Sequence, residues 1–139
     1  MEEHKKHSPL SSEKNRYTFS KKEKLKSKKV IQELFVKGSS TFLYPFKLYY
    51  QPFKQDEYQD ATPYPQMLVS VSKRNFKKAV DRNRIKRQVR EAYRLNKHIL
   101  QNSETPLAAL GFVYVSKKQE PYSMIEKRMK ALLKKLKSN

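Results

Sequence analysis

The chain has 139 residues, and 32 lysine and arginine residues against 13 aspartate and glutamate residues give it a formal net charge of +19. A chain of this length corresponds to one domain, because single hydrophobic cores typically serve roughly 100 to 200 residues. The absence of cysteine excludes disulfides, thiolate metal sites and a cysteine nucleophile. The large positive charge favours a polyanionic partner, with nucleic acid as the first candidate and an anionic membrane as the second.

Residues 1–18 are polar and lack a sustained apolar period. They are predicted to form a flexible basic arm ahead of a single domain over residues 19–137. No apolar stretch approaches the ~20 residues that a membrane helix requires, and the first residues lack the apolar segment of a signal peptide. We therefore expect a cytoplasmic protein without a membrane partner.

The first element with a clear period follows the arm. Apolar side chains recur at helical spacing among lysines, at Leu25, Val30, Ile31, Leu34 and Phe35. This spacing predicts a helix with one apolar face. Ser27 is expected to cap its start, and Gly38 is expected to end it in a left-handed conformation, which glycine adopts at little cost.

Two strands are predicted next. Residues 42–53 alternate apolar and polar positions, which indicates a half-buried strand whose beginning, at Pro45, lies at a sheet edge. A polar insert at residues 54–65 leads into an apolar run at residues 67–72, which is the second predicted strand. We expect these two strands to pair as a hairpin with a long loop.

The second half of the chain contains two helices around a strand. Residues 76–100 have a helical period, and one side of that helix carries Val80 or Ile85, Val89, Ala92, Tyr93, Asn96 and Ile99. The run at residues 111–115 is β-branched and aromatic and predicts a third strand. Ser123 is expected to cap a last helix, whose apolar face carries Ile125, Met129, Leu132, Leu133 and Leu136. The predicted fold is therefore α/β, in the order helix, strand, strand, basic helix, strand, helix.

Basic residues are concentrated at the start of the second helix. Between residues 73 and 90 a single acid, Asp81, stands against nine basic residues: Lys73, Arg74, Lys77, Lys78, Arg82, Arg84, Lys86, Arg87 and Arg90. On a helix, Arg82, Lys86 and Arg90 form one ridge, and Asn83 and Arg87 form the ridge beside it. Like charges at this spacing repel, which favours an external anion such as RNA phosphate. The alternative is a solvated charged face, which is the commoner origin of a charge run.

At these residues the chain resembles a known family. The run AVDRNRIKRQVRE at residues 79–91 resembles the signature of the bacterial ribonuclease P protein subunit. Residues 68–74 resemble the strand and turn before that signature, residues 25–38 resemble the first helix of the family, and the whole resemblance spans residues 19–136. It implies a compact α/β sandwich in which the basic helix connects two strands by a left-handed crossover, whereas general rules predict a right-handed one.

The resemblance also implies a function. The protein would bind a catalytic RNA and the single-stranded 5′ leader of precursor tRNA, while the RNA, using Mg²⁺, hydrolyses the phosphodiester; the protein itself would hold no cofactor. The RNA-binding residues carried over by position are Lys73, Arg74, Arg82, Asn83, Lys86, Arg87 and Arg90. The leader cleft carried over by position is lined by Ile31, Phe35 and Tyr49.

Two departures from the family pattern concern the cleft and the insert. The family usually has an aromatic residue where this chain has Ile31, so the resemblance does not carry a stacking role to that position. The insert at residues 54–65 is longer than usual, and no function follows for it. Strict alternation places Tyr49 on the strand face opposite Phe46 and Leu48, where an aromatic ring beside basic residues can stack on a base. For Phe35, core packing and a cleft role remain equally open.

Other functions compete with this interpretation. A ribosomal or other structural RNA-binding protein would share the charge and the small α/β fold. A DNA-binding protein would place the basic helix in the major groove, but the strand that follows and the aromatic cleft argue against it. A membrane-binding helix would need bulky apolar residues on its free face.

The sequence does not favour catalysis by the protein. Its three histidines, at positions 4, 7 and 98, have no evident catalytic partner. Asp56, Glu57 and Asp60 have the chemistry to hold a hard cation, but their proline-containing loop disfavours a rigid two-metal site.

Overall fold

The structure, a computed structural model, describes residues 19, 21–54, 56, 64–101 and 105–138. The predicted arm and most of the predicted insert lie outside the described residues. Within them, three α-helices, four strands and two short 3-10 helices follow one another: 3-10 helix Lys21–Glu23, α1 Lys28–Lys37, β1 Ser39–Leu43, β2 Phe46–Pro52, β3 Gln66–Val71, α2 Ala79–Asn96, 3-10 helix Lys97–Leu100, β4 Leu107–Tyr114 and α3 Tyr122–Ser138. No helix among these residues is long and apolar enough to cross a membrane.

The four strands form one sheet in the order β1-β2-β4-β3. β2 is antiparallel to both β1 and β4, whereas β3 and β4 are parallel. Parallel neighbours need a crossover, and α2 supplies it between β3 and β4. The predicted α/β sandwich is confirmed, since helices cover both faces of the sheet. The left-handedness of the crossover stays a prediction.

The predicted pairing of the strands was wrong in two respects. Residues 42–53 form parts of two antiparallel strands rather than one, and Pro45 lies in the turn between them, after a cis peptide bond. β2 and β3 do not pair as a hairpin, because β4 inserts between them and pairs with both. The sequence of β4, with no charged residue and burial on both faces, suits this central position.

The ends of α1 show one correct and one wrong prediction. Ser27 caps the helix as predicted, since its Oγ accepts a hydrogen bond of 3.3 Å from the backbone N–H of Val30. Gly38 ends the helix with φ −72° and ψ 161°, an extended conformation, so the predicted left-handed cap was wrong. Glycine is needed there for space, because a Cβ would collide with the carbonyl oxygen of Leu34 and lie 3.0 Å from that of Tyr50.

The start of α3 also differs from the prediction. The helix begins at Tyr122, and the carbonyl oxygen of Pro121 accepts hydrogen bonds from the N–H groups of Met124 (3.0 Å) and Ile125 (3.1 Å). Ser123 therefore lies inside the first turn and is not the cap. The five apolar residues predicted for this helix are all buried.

Two hydrophobic clusters occupy the two faces of the sheet. On one face, α2 and α3 pack over a cluster of nineteen buried apolar residues of the described chain. On the other face, α1 packs over a cluster of three: Leu25, Leu34 and Ala109. The predicted inner side of α2 is confirmed with Ile85 rather than Val80, because Ile85 is fully buried and Val80 is 75% exposed.

A buried lysine fixes the carboxyl end of α2. The Lys97 side chain is fully buried, and its Nζ lies 2.6 Å from Oε1 of Glu23 and 4.4 Å from the centre of the Tyr64 ring. Burying a lysine is costly unless the charge is paired. The ion pair and the ring therefore hold the basic helix against the first 3-10 helix and the segment that enters β3.

A second polar network links the β1–β2 turn to the connection between β4 and α3. The Tyr44 hydroxyl lies 2.9 Å from both the Ser116 hydroxyl and the Glu120 carboxylate, and Ser116 donates to Glu120 at 2.8 Å. Burial acts to raise the pKa of the Glu120 carboxyl. Hydrogen bonds from Ser116 and Tyr44 and the charge of Lys118 together hold that pKa below its ordinary value.

Candidate RNA-binding site

The packing of α2 decides which of its side chains face solvent. The buried residues Ile85, Val89 and Ala92 recur every three or four positions and seat the helix on the sheet. The other side of the helix, which carries the predicted RNA-binding residues of α2, consequently faces outward. Asp81 lies in the first turn, where a carboxylate interacts favourably with the helix dipole.

The structure brings the predicted RNA-binding residues of α2 together on one face. We call this the basic face, and it consists of Arg82, Asn83, Lys86, Arg87 and Arg90. Asn83 and Arg87 are exposed, while the other three are half-buried, with stems against the protein. Lys73 and Arg74 are exposed in the turn that precedes the helix.

Arg82 has a structural contact in addition to its position on the basic face. Its Nη1 donates hydrogen bonds to the carbonyl oxygens of Phe76 (2.7 Å) and Lys77 (3.0 Å). These bonds tie the loop to the helix and leave the remaining N–H groups of the guanidinium available for other acceptors. The sequence does not predict this contact, because nothing in the local pattern shows where the loop carbonyls point.

The turn before α2 is held by two hydrogen bonds to Ser72, one to its side chain and one to its backbone. The Ser72 hydroxyl accepts a hydrogen bond of 3.0 Å from the N–H of Arg74, and the Ser72 carbonyl oxygen accepts one of 3.1 Å from Phe76. Serine commonly stabilises turns in this way. The side chains of Lys73 and Arg74 therefore project from an ordered turn rather than from an irregular loop.

On the other face of the sheet, the three residues predicted for the leader cleft also come together. We call this site the aromatic cleft; it is lined by Ile31, Phe35 and Tyr49. The rings of Phe35 and Tyr49 meet edge to face with centres 4.8 Å apart, and Ile31 lies one helical turn before Phe35. All three side chains are half-buried. Tyr49 lies on the opposite strand face from Phe46 and Leu48, as the alternation predicts.

Gly111 forms the floor of this cleft. It pairs with Tyr49 across the sheet, and a Cβ at this position would lie 3.0 Å from a methyl carbon of Leu34 and 3.1 Å from the ring of Phe35. Because glycine has no side chain, α1 can lie close to β4 and press Phe35 toward Tyr49.

Two residues beside the cleft were not predicted from the sequence. Lys47 holds its Nζ 5.2 Å from the centre of the Tyr49 ring, a cation–π geometry. Phe42, 57% exposed, pairs with Lys47 across β1 and β2 and so points to the same face. Phe42 was missed because β1 was not predicted. The run of Thr41, Phe42 and Leu43, rich in residues that favour strands, is the signal that could have revealed it.

The two surfaces differ in chemistry and lie on opposite faces of the sheet. The basic face offers charge to phosphates, and the aromatic cleft offers rings and one lysine to unpaired bases. Together they define a small α/β protein that binds RNA.

Known proteins agree with this class. The family model described as Ribonuclease P matches residues 19–137. The "Ribonuclease P protein component" of Porphyromonas gingivalis is 36% identical over 126 residues, which cover 88% of this chain and 89% of that protein. The protein of the same name from Petrotoga mobilis is 34% identical, over 86% of this chain and 95% of the relative.

Solved structures share the fold. The RNase P protein of Staphylococcus aureus superimposes with a TM-score of 0.64 at 25% identity, over 83% of this chain and 95% of that chain. The RNase P protein of Thermotoga maritima superimposes with a TM-score of 0.64 at 20% identity, over 81% and 96%.

The chain belongs to the ribonuclease P protein family. It is a protein subunit of the ribonucleoprotein that processes tRNA, so its partners include an RNA. The alternative of a ribosomal protein is not favoured.

Proposed function

We propose that this subunit binds the catalytic RNA of ribonuclease P and the single-stranded 5′ leader of precursor tRNA, and thereby assists removal of the leader by the RNA. The observation that carries the proposal is the presence of two separate surfaces suited to these two ligands. One surface is charged and points outward from α2, and the other is aromatic and lies beneath α1.

The basic face is assigned to the catalytic RNA. Four of its five members carry positive charge, and the fifth, Asn83, both donates and accepts hydrogen bonds. Lys73 and Arg74, in the turn before α2, extend this positive surface. Arginine presents a planar fork of donors that matches phosphate oxygens, so affinity here would come largely from the RNA backbone.

The aromatic cleft is assigned to the leader. An unpaired base can stack on a tyrosine or phenylalanine ring regardless of its identity, which suits leaders of different sequence. The Lys47 ammonium beside Tyr49 adds a charge for the adjoining phosphate. Ile31 contributes an apolar contact instead of a stacking ring.

The hydrolysis itself is assigned to the RNA subunit, which would use Mg²⁺, with no cofactor held by the protein. The protein then contributes binding of the two RNAs and positive charge. The charge of +19 offsets part of the repulsion between the two RNAs. We place this work in the cytoplasm.

Reconstitution tests the proposal. The purified protein is added to the catalytic RNA and precursor tRNA near physiological magnesium, and the rate of 5′ processing is measured. We expect clear stimulation over the RNA alone and tighter binding of precursor than of mature tRNA. No stimulation would contradict the proposal. Stimulation with equal affinity for both tRNAs would retain the RNA-binding role and remove the leader cleft.

A further inference from the structure

A second basic surface lies on α3, away from the basic face. Lys127, Lys130 and Lys134 are exposed and follow one another at spacings of three and four residues, so they form one stripe along the helix. We call these three residues the lysine stripe. The stripe spans about 10 Å at a rise of 1.5 Å per residue. Residues 127–138 contain no acid.

The helix dipole does not account for this stripe. Lysines in the last turn of a helix are stabilised by the partial negative charge of the carboxyl end, which suffices for Lys135 and Lys137. The effect fades within one turn, and the stripe begins well before that turn. Among the described residues, no carboxylate forms an ion pair with the three lysines. No ion pair within the described chain therefore offsets their mutual repulsion.

The lysine stripe is separated from the basic face along α2. Asn96, the last residue of α2, donates a hydrogen bond of 3.2 Å to Glu126, which directly precedes the stripe. Arg90, the nearest residue of the basic face, lies six residues before Asn96, about 9 Å along the helix axis, and Arg82 lies about 21 Å before it. Between the two surfaces lie Glu126 and the ion pair of Glu91 with Arg94, at 2.7 Å. Two carboxylates and one arginine, with a net charge of −1, thus lie at the junction of the two basic surfaces.

Resting on the proposed function, we propose that the lysine stripe is a second phosphate-binding surface, which contacts the RNA subunit at a point distinct from the one held by the basic face. The two surfaces lie on neighbouring helices, and the RNA subunit is the polyanion that the proposed function places beside α2. The leader is assigned to the aromatic cleft, which lies on the opposite face of the sheet. Three lysines within about 10 Å can serve two or three successive phosphates.

The test measures how the affinity of the protein for the RNA subunit depends on salt. In the triple variant Lys127→Gln, Lys130→Gln, Lys134→Gln, three cations are lost while helix propensity is kept. The slope of log affinity against log salt concentration should become shallower by about two to three units, because three phosphates no longer release counterions. The ratio of precursor to mature tRNA binding by the holoenzyme should not change.

A matched triple variant controls for net charge. Lys21→Gln, Lys26→Gln, Lys29→Gln removes the same charge from exposed lysines before and at the start of α1. If both triple variants flatten the slope equally, the effect is one of net charge, and the proposal is overturned. A slope equal to that of the wild type in the stripe variant, with its melting temperature retained, also overturns it.

Two further outcomes distinguish this proposal from a membrane contact and from the proposed function. If the stripe variant loses binding of vesicles containing anionic lipid but keeps its salt slope with RNA, the stripe is a membrane contact and the proposal fails. If the wild-type protein does not stimulate processing while the stripe variant still flattens the slope, the proposed function fails and the second RNA contact stands. Adding Arg87→Glu to the stripe variant should lower the slope by the sum of the two separate effects, as expected for independent surfaces.

Discussion

The two faces of the sheet are built in different ways. Two helices seal one face over nineteen buried apolar residues of the described chain, whereas a single helix covers the other over three. On the sealed face, aromatic rings such as those of Phe46, Phe112 and Tyr93 are fully buried. On the open face, Phe35 and Tyr49 are only half-buried, and Phe42 is 57% exposed.

This difference separates stability from recognition. Burial of apolar area stabilises the fold roughly in proportion to the area removed from water, so most of that contribution comes from the sealed face. The open face leaves apolar and aromatic area in contact with water, where a base can cover it. The basic face depends on the sealed side as well, because the inner side of α2 belongs to the larger cluster.

The largest effect is expected from a substitution in the sealed face. Phe112→Ala, at a fully buried position, should lower the free energy of unfolding by about 3 to 5 kcal/mol, since it removes burial and leaves a cavity. Ile31→Ala on the open face should cost less than half of that. Denaturant unfolding of both variants measures the contrast. Equal losses would mean that both faces stabilise the fold to the same degree.

Tyr49→Ala should act mainly on RNA recognition. Loss of one base stack should weaken binding of leader-bearing precursor by about 1 to 3 kcal/mol and leave mature tRNA unaffected. The free energy of unfolding should fall by the burial of the half-buried ring and by only about 0.5 to 1.5 kcal/mol more, for its edge-to-face contact with Phe35. Affinities of the holoenzyme for the two tRNAs provide the measurement. A similar loss for both would place Tyr49 outside the leader site.

Arg87→Glu should act on RNA without regard to the leader. Charge reversal on the basic face should flatten the salt dependence of binding to the RNA subunit by about one to two units. Lys29→Glu, an exposed position on α1, is the matched control and should leave the slope unchanged. If Arg87→Glu instead changes only the preference for precursor over mature tRNA, the assignments of the two surfaces must be exchanged.

The smallest effect concerns acid stability. Since the folded protein holds the pKa of Glu120 below the ordinary value of 4.5, the carboxylate stabilises the fold above that pH. This contribution should fade as the pH falls through the lowered pKa. The difference in unfolding free energy between the wild type and Glu120→Gln should therefore shrink in acid. A constant difference would mean that ionisation of Glu120 does not stabilise the fold, and RNA binding at neutral pH should be the same for both proteins.

Local patterns in the sequence predicted helices well and pairing poorly. The buried side of α2 and the five buried residues of α3 follow from a period of 3.6, which depends only on neighbouring residues. The position of β4 between β2 and β3 depends on contacts between distant segments, and no local period encodes it. β1 was missed because Pro45, taken as the start of one strand, lies in the turn between two.

For the candidate site, too, the residues were predictable from the sequence, whereas the contacts between separate elements were not. The basic face follows from helical spacing once the helix is known, and the family resemblance pointed to the cleft residues. The second contact of Arg82, the lysine over Tyr49 and the glycine floor under Phe35 were not predictable. Each of them arises where separate elements meet, so the sequence pattern of any one element does not contain it.

The central place of β4 has a consequence for how the protein is made. β1 and β2 can pair as soon as they leave the ribosome, but an isolated hairpin is at best marginally stable in water. β3 is joined to the rest of the sheet through β4, and α2 needs the completed sheet to bury its apolar side. Synthesis proceeds from the amino end, so the fold waits for residues 107–114. A chain cut short before that strand would still contain the arginines of α2, but the fold would not hold them together on one face.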